Sequence, residues 1–412
     1  MILYIKNIKE LVQVEEQPVL YRAGKEMANM FTIKDAWLKI EDDVIADFGV
    51  MSDFSPQTNS TVIDAENGMV FPSFCDSHTH IVYKGSREIE YIDKIKGLSY
   101  EEIAKRGGGI LNSAKRLHEA SEEELFYEAW QRLEEIKHFG TGAVEIKSGY
   151  GLSTEDELKM LRVIRQLKEE SELTIKSNFL GAHAVPMEYR GRQGEYVDLI
   201  IKEMIPRIGE EKLADFIDVF CDKGFFTVEE TDRILEAGSK YGLIPKIHAN
   251  ELDYSGGIQI GVKHKALSVD HLEYTGNDEI KSLLNSETMP TLLPGAAFFL
   301  GMVYAPVRKM IDSGLPVAMA SDFNPGSSPS GNMQLILSMG CIKYKMLVEE
   351  AINATTINSA YAMGCSKTHG SIAKGKKANV YITNPIPSYE FMPYAFGSNK
   401  VKTVILNGKI LS

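Results

Sequence analysis

Val70-Phe71-Pro72-Ser73-Phe74-Cys75-Asp76-Ser77-His78-Thr79-His80 decides how the rest of the chain is read. An apolar run of strand character ends at Cys75, and two histidines separated by one residue follow it. In an extended segment residues two apart point the same way. Both imidazoles can therefore face one point in space, as two ligands of a single metal ion must. A bare His-x-His is more often a surface pair. Its place just past a buried-looking strand favours the chemical reading, because α/β barrels carry their reacting groups at strand C-terminal ends.

The 412 residues are 44% hydrophobic and 25% charged, an ordinary globular composition with room for a large core. A formal net charge of −12 argues against a nucleic acid or an anionic membrane surface as partner. An anionic small substrate would need a local cation. The N-terminus has no basic region leading into a long apolar one, and no apolar run reaches about 18 residues. Neither a signal peptide nor a membrane span is expected. Cys75, Cys221, Cys341 and Cys365 are scattered and form no Cys-x-x-Cys pair, which suits a reducing cytoplasm. The oligomeric state stays open, a homodimer included.

Residues 1–65 and 372–412 read as short strands with alternating faces, and together they are expected to form one small β-sandwich domain built from both termini. Residues 66–371 alternate strands and helices. The expected strands are Met69–Phe74, Gly142–Lys147, Thr174–Leu180, Phe216–Cys221, Ile244–Ile247, Ala266–Asp270, Met289–Leu293 and Pro316–Ala320. Ser121-Glu122-Glu123-Glu124 reads as a capping box, followed by Leu125, Ala129, Leu133 and Ile136 at helical spacing. Ser153 and Thr227 open further helices. Eight strands alternating with helices predict a closed parallel (β/α)8 barrel. An open doubly wound sheet would carry a Gly-rich phosphate turn after its first strand, and His-Thr-His stands there instead. Gly107-Gly108-Gly109 reads as a flexible turn.

Polar residues follow these strands at a consistent place. His78 and His80 follow the first, Tyr150 the second, His183 the third, His248 the fifth, His271 the sixth and Asp322 the eighth. A barrel gathers its strand C-termini around one mouth, so separation in sequence does not separate these groups in space. The remaining histidines, His118, His138, His264 and His369, have bland surface readings. Lys223 reads as a solvated rim residue.

This pattern resembles the amidohydrolase superfamily. His248-x-x-Glu251 is similar to its mononuclear, deaminase-like branch. Gly85-Ser86-Arg87-Glu88, Lys147-Ser148-Gly149-Tyr150-Gly151, Gly181-Ala182-His183-Ala184-Val185-Pro186 and Asp322-Phe323-Asn324-Pro325-Gly326-Ser327-Ser328-Pro329 resemble the imidazolonepropionase family. Two departures, Asn379 where an Asp is usual and Ser77 where a Pro is common, touch no proposed ligand.

The resemblance implies one divalent metal, Zn²⁺ or Fe²⁺, held by His78, His80, His248 and Asp322. Three nitrogens and one oxygen leave room for a water, as a catalytic site requires. It implies Asp322 as acceptor of the water's proton, His271 as the group that holds the developing oxyanion, and Glu251 as a proton shuttle or ring-nitrogen contact. The implied substrate is 4-imidazolone-5-propanoate, hydrolysed at its cyclic amide to N-formimidoyl-L-glutamate in L-histidine degradation. Arg87 suits the propanoate tail, since guanidinium is planar, always charged and bidentate. The resemblance adds Tyr150, His183, Asn324, Gly326 and Ser327 as substrate contacts, with the Pro325-Gly326 turn offering backbone N–H groups to an anion. A deaminase of an aminated heterocycle on the same barrel is the alternative. A metal-binding scaffold without activity is the other, and intact His271, Glu251 and Asp322 count against it.

Overall fold

The computed structural model of the chain describes residues 1–98 and 108–411; Gly107 of the glycine run lies outside them. The strands are β1 (Ile2–Val12), β2 (Thr32–Glu41), β3 (Val44–Val50), β4 (Thr61–Asp64), β5 (Val70–Pro72), β6 (Phe74–Thr79), β7 (Thr141–Lys147), β8 (Thr174–Ala182), β9 (Phe216–Cys221), β10 (Ile244–Ala249), β11 (Ser268–His271), β12 (Met289–Leu292), β13 (Ala318–Met319), β14 (Val380–Thr383), β15 (Val401–Leu406) and β16 (Lys409–Leu411). Strands β6 to β13 form one parallel sheet in sequence order. A bridge between Thr79 and Phe323 brings its two ends together. His80 N donates to Phe323 O at 2.9 Å and Asp322 N to His78 O at 3.0 Å. The expected α/β barrel is therefore present. A second sheet, drawn from both ends of the chain, runs β16-β15-β14-β5-β1-β2-β3, with β4 on β1.

The apolar stretch expected to be the first barrel strand, Met69–Phe74, is divided between the two sheets. Val70–Pro72 pairs with β14 and touches β1. Ser73 N donates to Asn379 O at 2.9 Å, whereas Phe74 N donates to Gly140 O at 2.9 Å. The chain changes partners at a residue pair where Pro72, without an N–H, cannot extend the first ladder. The barrel strand then runs on through Thr79, so His78 lies within it rather than past it. His248 and His271 likewise lie inside β10 and β11. A polar residue facing a barrel's interior looks in sequence like the end of a strand.

The helices follow their local signals. Ser121 and Glu124 close both halves of a capping box on the helix Glu122–His138, which buries Leu125, Ala129, Leu133 and Ile136. Ser153 caps Thr154–Glu170, and Thr227 with Glu230 caps Val228–Ser239. Among the described residues no helix is long and apolar enough to cross a membrane.

The surface reading holds for His118 and His138, and Lys223 is exposed in a pair with Asp253 at 2.7 Å. It fails for His369. That ring is buried, with Nε2 at 2.9 Å from Thr174 Oγ1 and Nδ1 at 2.9 Å from Thr368 Oγ1. The segment after Cys365 folds back against β8, which local sequence does not reveal. His264 is half-buried and pairs with Asp232 at 2.5 Å.

An aromatic pile joins the terminal sheet to the barrel. Tyr381 of β14 stacks against Phe71 of β5 at 5.2 Å and Phe74 of β6 at 5.3 Å. Gly140, at φ +94°, passes so close that a Cβ there would lie 2.9 Å from Tyr381 Cδ1. Both the backbone angle and the space require glycine at this position. Phe71→Ala is expected to cost roughly 3–5 kcal/mol, the usual range for emptying a buried aromatic site. Urea unfolding measures it, and a cost below about 1 kcal/mol would show that the junction does not depend on this pile.

Candidate active site

The barrel interior beneath the mouth is charged. Glu145 and Lys147 on β7, Asp218 on β9, Lys246 on β10 and Asp270 on β11 are all fully buried. Lys147 Nζ lies 2.6 Å from Glu145, 2.7 Å from Asp218 and 3.6 Å from Asp270. Lys246 pairs closely with Glu145 and donates to Ser77 O at 3.1 Å. Buried charges persist only when paired, and here each carboxylate meets an ammonium. Burial alone would drive Asp218 toward its neutral form, but Lys147 and His248 outweigh it and hold the carboxyl well below its ordinary range. Lys147 is raised in turn: burial opposes its charge, and Asp218, Glu145 and Asp270 overcome that.

Two of these carboxylates grip the histidines above them. His78 Nδ1 donates to Asp270 Oδ2 at 2.6 Å, and His248 Nδ1 donates to Asp218 Oδ1 at 3.1 Å. Each grip fixes the tautomer with the proton on Nδ1 and turns the Nε2 lone pair into the mouth. Both Nε2 atoms are buried and have no hydrogen-bond partner among the described residues. Asp322 Oδ1 lies 3.5 Å from Nε2 of both His78 and His80. Burial, with help from neighbouring cationic groups, drives His78 and His80 well below their ordinary pKa. Both rings are thus neutral at pH 7, the form in which imidazole binds a metal.

The donor atoms of His78, His80 and Asp322 lie within 4.8 Å of one another, and so do those of His78, His248 and His271. The four expected ligands therefore span two overlapping clusters that share His78. Orphaned, buried nitrogens beside a carboxylate fit a divalent cation. His271 joins the second cluster, so geometry offers it as a donor as well as a substrate contact. Its Nε2 is 3.7 Å from Glu251 Oε2, and its Nδ1 has no hydrogen-bond partner among the described residues. His271 and Asp322 both take left-handed backbone angles, φ +83° and +53°, a strain that a fold tolerates where it must aim a side chain.

The loops bring the other expected residues to the same mouth. Asp222 holds the loop after β10, accepting from Glu251 N at 2.7 Å and Leu252 N at 2.9 Å. Burial, then repulsion from Asp322 and Asp222, pushes Glu251 up to about 8. His183 stacks on His80 at 5.3 Å and donates from Nδ1 to Gly149 O at 2.9 Å. The Tyr150 ring lies 5.9 Å from His80 and 5.5 Å from His183. Ser327 Oγ donates to Asp322 Oδ2 at 3.1 Å, and Asn324 Nδ2 donates to Ser327 Oγ at 2.7 Å and to Asp322 O at 2.6 Å.

One rationale drawn from the sequence is corrected. The backbone N–H groups of Gly326 and Ser327 are not offered to an anion, because both donate to Asn324 Oδ1 at 2.8 Å. Arg87, at the start of the helix Glu88–Ile95, directs Nε and Nη2 at Glu90 Oε2, 2.8 and 2.5 Å away. Its Nη1 lies against Gly326, where a Cβ would collide with it.

Asp218, Asp270, Lys246 and Glu145 receive no role from the sequence, and Lys147 enters only within a motif, although a signal was there. Glu145-x-Lys147, Lys246-x-His248 and Ser268-x-Asp270 place polar groups two apart on strands that otherwise read as buried. Period two puts each pair on one face, and a charge on the inner face of a barrel must have a partner.

Comparison with known proteins agrees with this construction. The Amidohydrolase family model matches residues 69–411. Imidazolonepropionases of Christiangramia forsetii and Flavobacterium johnsoniae are 55% and 56% identical, each over the whole of both chains. That of Clostridium tetani is 44% identical over 94% of this chain and 93% of its own. Among solved structures, atrazine chlorohydrolase from Arthrobacter aurescens complexed with zinc superposes with a TM-score of 0.74 at 15% identity, covering 99% of this chain and 95% of its own. A Xaa-Pro dipeptidase with bound methionine reaches 0.71 at 15% identity over the whole of both chains. The structures share the fold, while the matched family model and the full-length relatives go further: the chain belongs to the amidohydrolase family and, within it, to the imidazolonepropionases.

Proposed function

We propose that this enzyme hydrolyses the cyclic amide of 4-imidazolone-5-propanoate to N-formimidoyl-L-glutamate, a step of L-histidine degradation, using one divalent metal held by His78, His80, His248 and Asp322. The observation that carries the metal reading is the pair of carboxylate-gripped histidines whose Nε2 atoms face the mouth. The substrate follows from full-length relatives named imidazolonepropionase. The unpaired thiols suit the reducing cytoplasm in which we place it. The deaminase alternative gains nothing from these relatives.

A divalent ion held by His78, His80, His248 and Asp322 would supply Lewis acidity and make water a better nucleophile near neutral pH. Both Zn²⁺ and Fe²⁺ accept this donor set. Asp322, whose Oδ2 accepts from Ser327 Oγ at 3.1 Å, takes the proton that water loses on attacking the amide carbon. His271 holds the carbonyl oxygen as negative charge develops on it. Glu251, a carboxyl that retains a proton near neutrality, delivers one to the ring nitrogen as its bond to the carbonyl carbon breaks. The carbonyl carbon becomes the new carboxylate, and the released nitrogen stays on the formimidoyl group. Tyr150, His183, Asn324, Gly326 and Ser327 shape the pocket around the ring, and Arg87 meets the tail. An absorbance assay with imidazolone propanoate beside a panel of aminated heterocycles tests the activity. Turnover of a heterocyclic amine in preference to the imidazolone would replace this reading with the deaminase.

Metal analysis of reconstituted protein is expected to approach one equivalent per chain, and His248→Ala is expected to lose both metal and activity. Two equivalents held at comparable affinity would overturn the mononuclear assignment. His271→Ala should keep the metal and lose about 10²–10³ in kcat, the usual effect of deleting one oxyanion donor. Loss of metal in that variant would make His271 a ligand, as its place in the second cluster allows. Arg87→Met should lower kcat/KM by roughly thirty-fold to several-thousand-fold, chiefly through KM. It removes a contact to the tail and leaves Glu90 uncompensated beside it. Arg87→Lys should recover only part, because an ammonium cannot hold Glu90 as Nε and Nη2 do and still present a further N–H to the tail. Equal kcat/KM in wild type and both variants would remove Arg87 from the tail site.

A further inference from the structure

The Arg87 fork is already occupied. Its Nε and Nη2 both meet Glu90 Oε2, and Glu90 Oε1 accepts from Asn112 Nδ2 at 3.3 Å. As a unit the Arg87–Glu90 pair is neutral. It can direct hydrogen bonds, but it does not by itself balance the charge of a bound carboxylate. The turn at Gly326 and Ser327 offers no spare N–H either.

One more cation stands at this place. Arg87, Glu90 and Lys94 follow i, i+3, i+7 spacing along the helix Glu88–Ile95, which puts them on one face. Lys94 Nζ reaches Gly326 O at 3.4 Å, and Gly326 is the residue that Arg87 Nη1 abuts. Lys94 is half-buried and forms no ion pair among the described residues. Burial, then the nearby Arg87 charge, lowers its pKa, so the ammonium is held at a cost that a bound anion relieves.

We propose that Lys94 supplies the net positive charge that selects the carboxylate tail of the substrate, while the Arg87–Glu90 pair fixes the tail's direction. Taken by themselves, Arg87, Lys94 and Glu90 sum to one positive charge, which matches one carboxylate. In a chain with a net charge of −12, such a local excess is what lets an anion enter. This assignment rests on the reading of the substrate given above.

The test uses the full-length, metal-loaded protein as wild type, Lys94→Gln and Lys94→Arg. Steady-state kinetics are compared on the imidazolone ring carrying a propanoate tail and on the same ring carrying a neutral propanamide tail. Wild type should prefer the propanoate. Lys94→Gln should reduce that preference, as a ratio of kcat/KM values, by roughly ten- to a hundred-fold, mainly through KM. Lys94→Arg should retain most of it. A Lys94→Gln protein that loses activity equally on both tails, with the preference intact, overturns the assignment and leaves Lys94 a structural role. A wild type that hydrolyses neither ring would instead withdraw the substrate reading itself.

Discussion

The carboxylate grip on the Nδ1 atoms of His78 and His248 is the constraint on which the site depends. An imidazole free to rotate and exchange its proton would present either nitrogen to the mouth. Asp270 and Asp218 remove that freedom, and such outer-shell partners commonly govern metal affinity as strongly as the orientation of the ligands. The grip only works while the carboxylates are ionised in a place without water. Lys147, which reaches both, supplies the compensating charge. Removing one partner of a buried pair typically costs roughly 3–5 kcal/mol, because the other is left as an uncompensated charge. Folding and function therefore share the same residues, and the base of the site is also part of the barrel's core.

This arrangement explains why the polar groups sit on strands rather than only on loops. Each inward position of β7, β9, β10 and β11 is fixed by pairing with its neighbours, Lys246 with Asp218 and Ser268 in register on either side. The charged layer lies directly beneath the histidine layer. A ladder of backbone hydrogen bonds holds these groups more firmly than a loop would, and a metal site needs that precision of placement. The loops carry the other groups at the mouth: Glu251 tethered by Asp222, Tyr150 and His183 beside His80, and the Asn324–Ser327 turn beside Arg87.

The terminal sheet joins the barrel where its first strand begins. The chain leaves that sheet at Pro72 and enters the barrel at Phe74, so the strand that bears His78 begins where the aromatic pile of Phe71, Tyr381 and Phe74 locks the two sheets together. Asp76, two residues further on, accepts from Ser321 N at 2.9 Å and Ser321 Oγ at 2.5 Å. First and last strands are thus latched just below the point where His78, His80 and Asp322 meet.

Local sequence determined the helices, through capping residues and spacing that act within one turn, and it determined the barrel, through the alternation of strand-like and helical stretches. It also placed the candidate ligands, because His-x-His and the later histidines and Asp322 recur at equivalent points of that alternation. Tertiary structure decided what depends on partners distant in the chain. The division of Val70–Phe74 between two sheets depends on Asn379 and Gly140 as competing acceptors. The roles of Asp218, Asp270 and Lys147 exist only once the closing barrel turns β7, β9 and β11, which are not neighbours in the sheet, toward one interior. The turn at Gly326 has its N–H groups taken by Asn324, which changes where an anion can bind. His369 is buried because a segment almost two hundred residues from Thr174 folds back onto it. A residue's own neighbours in sequence set its backbone, but charge and hydrogen-bond pairing across the barrel set what its side chain can do.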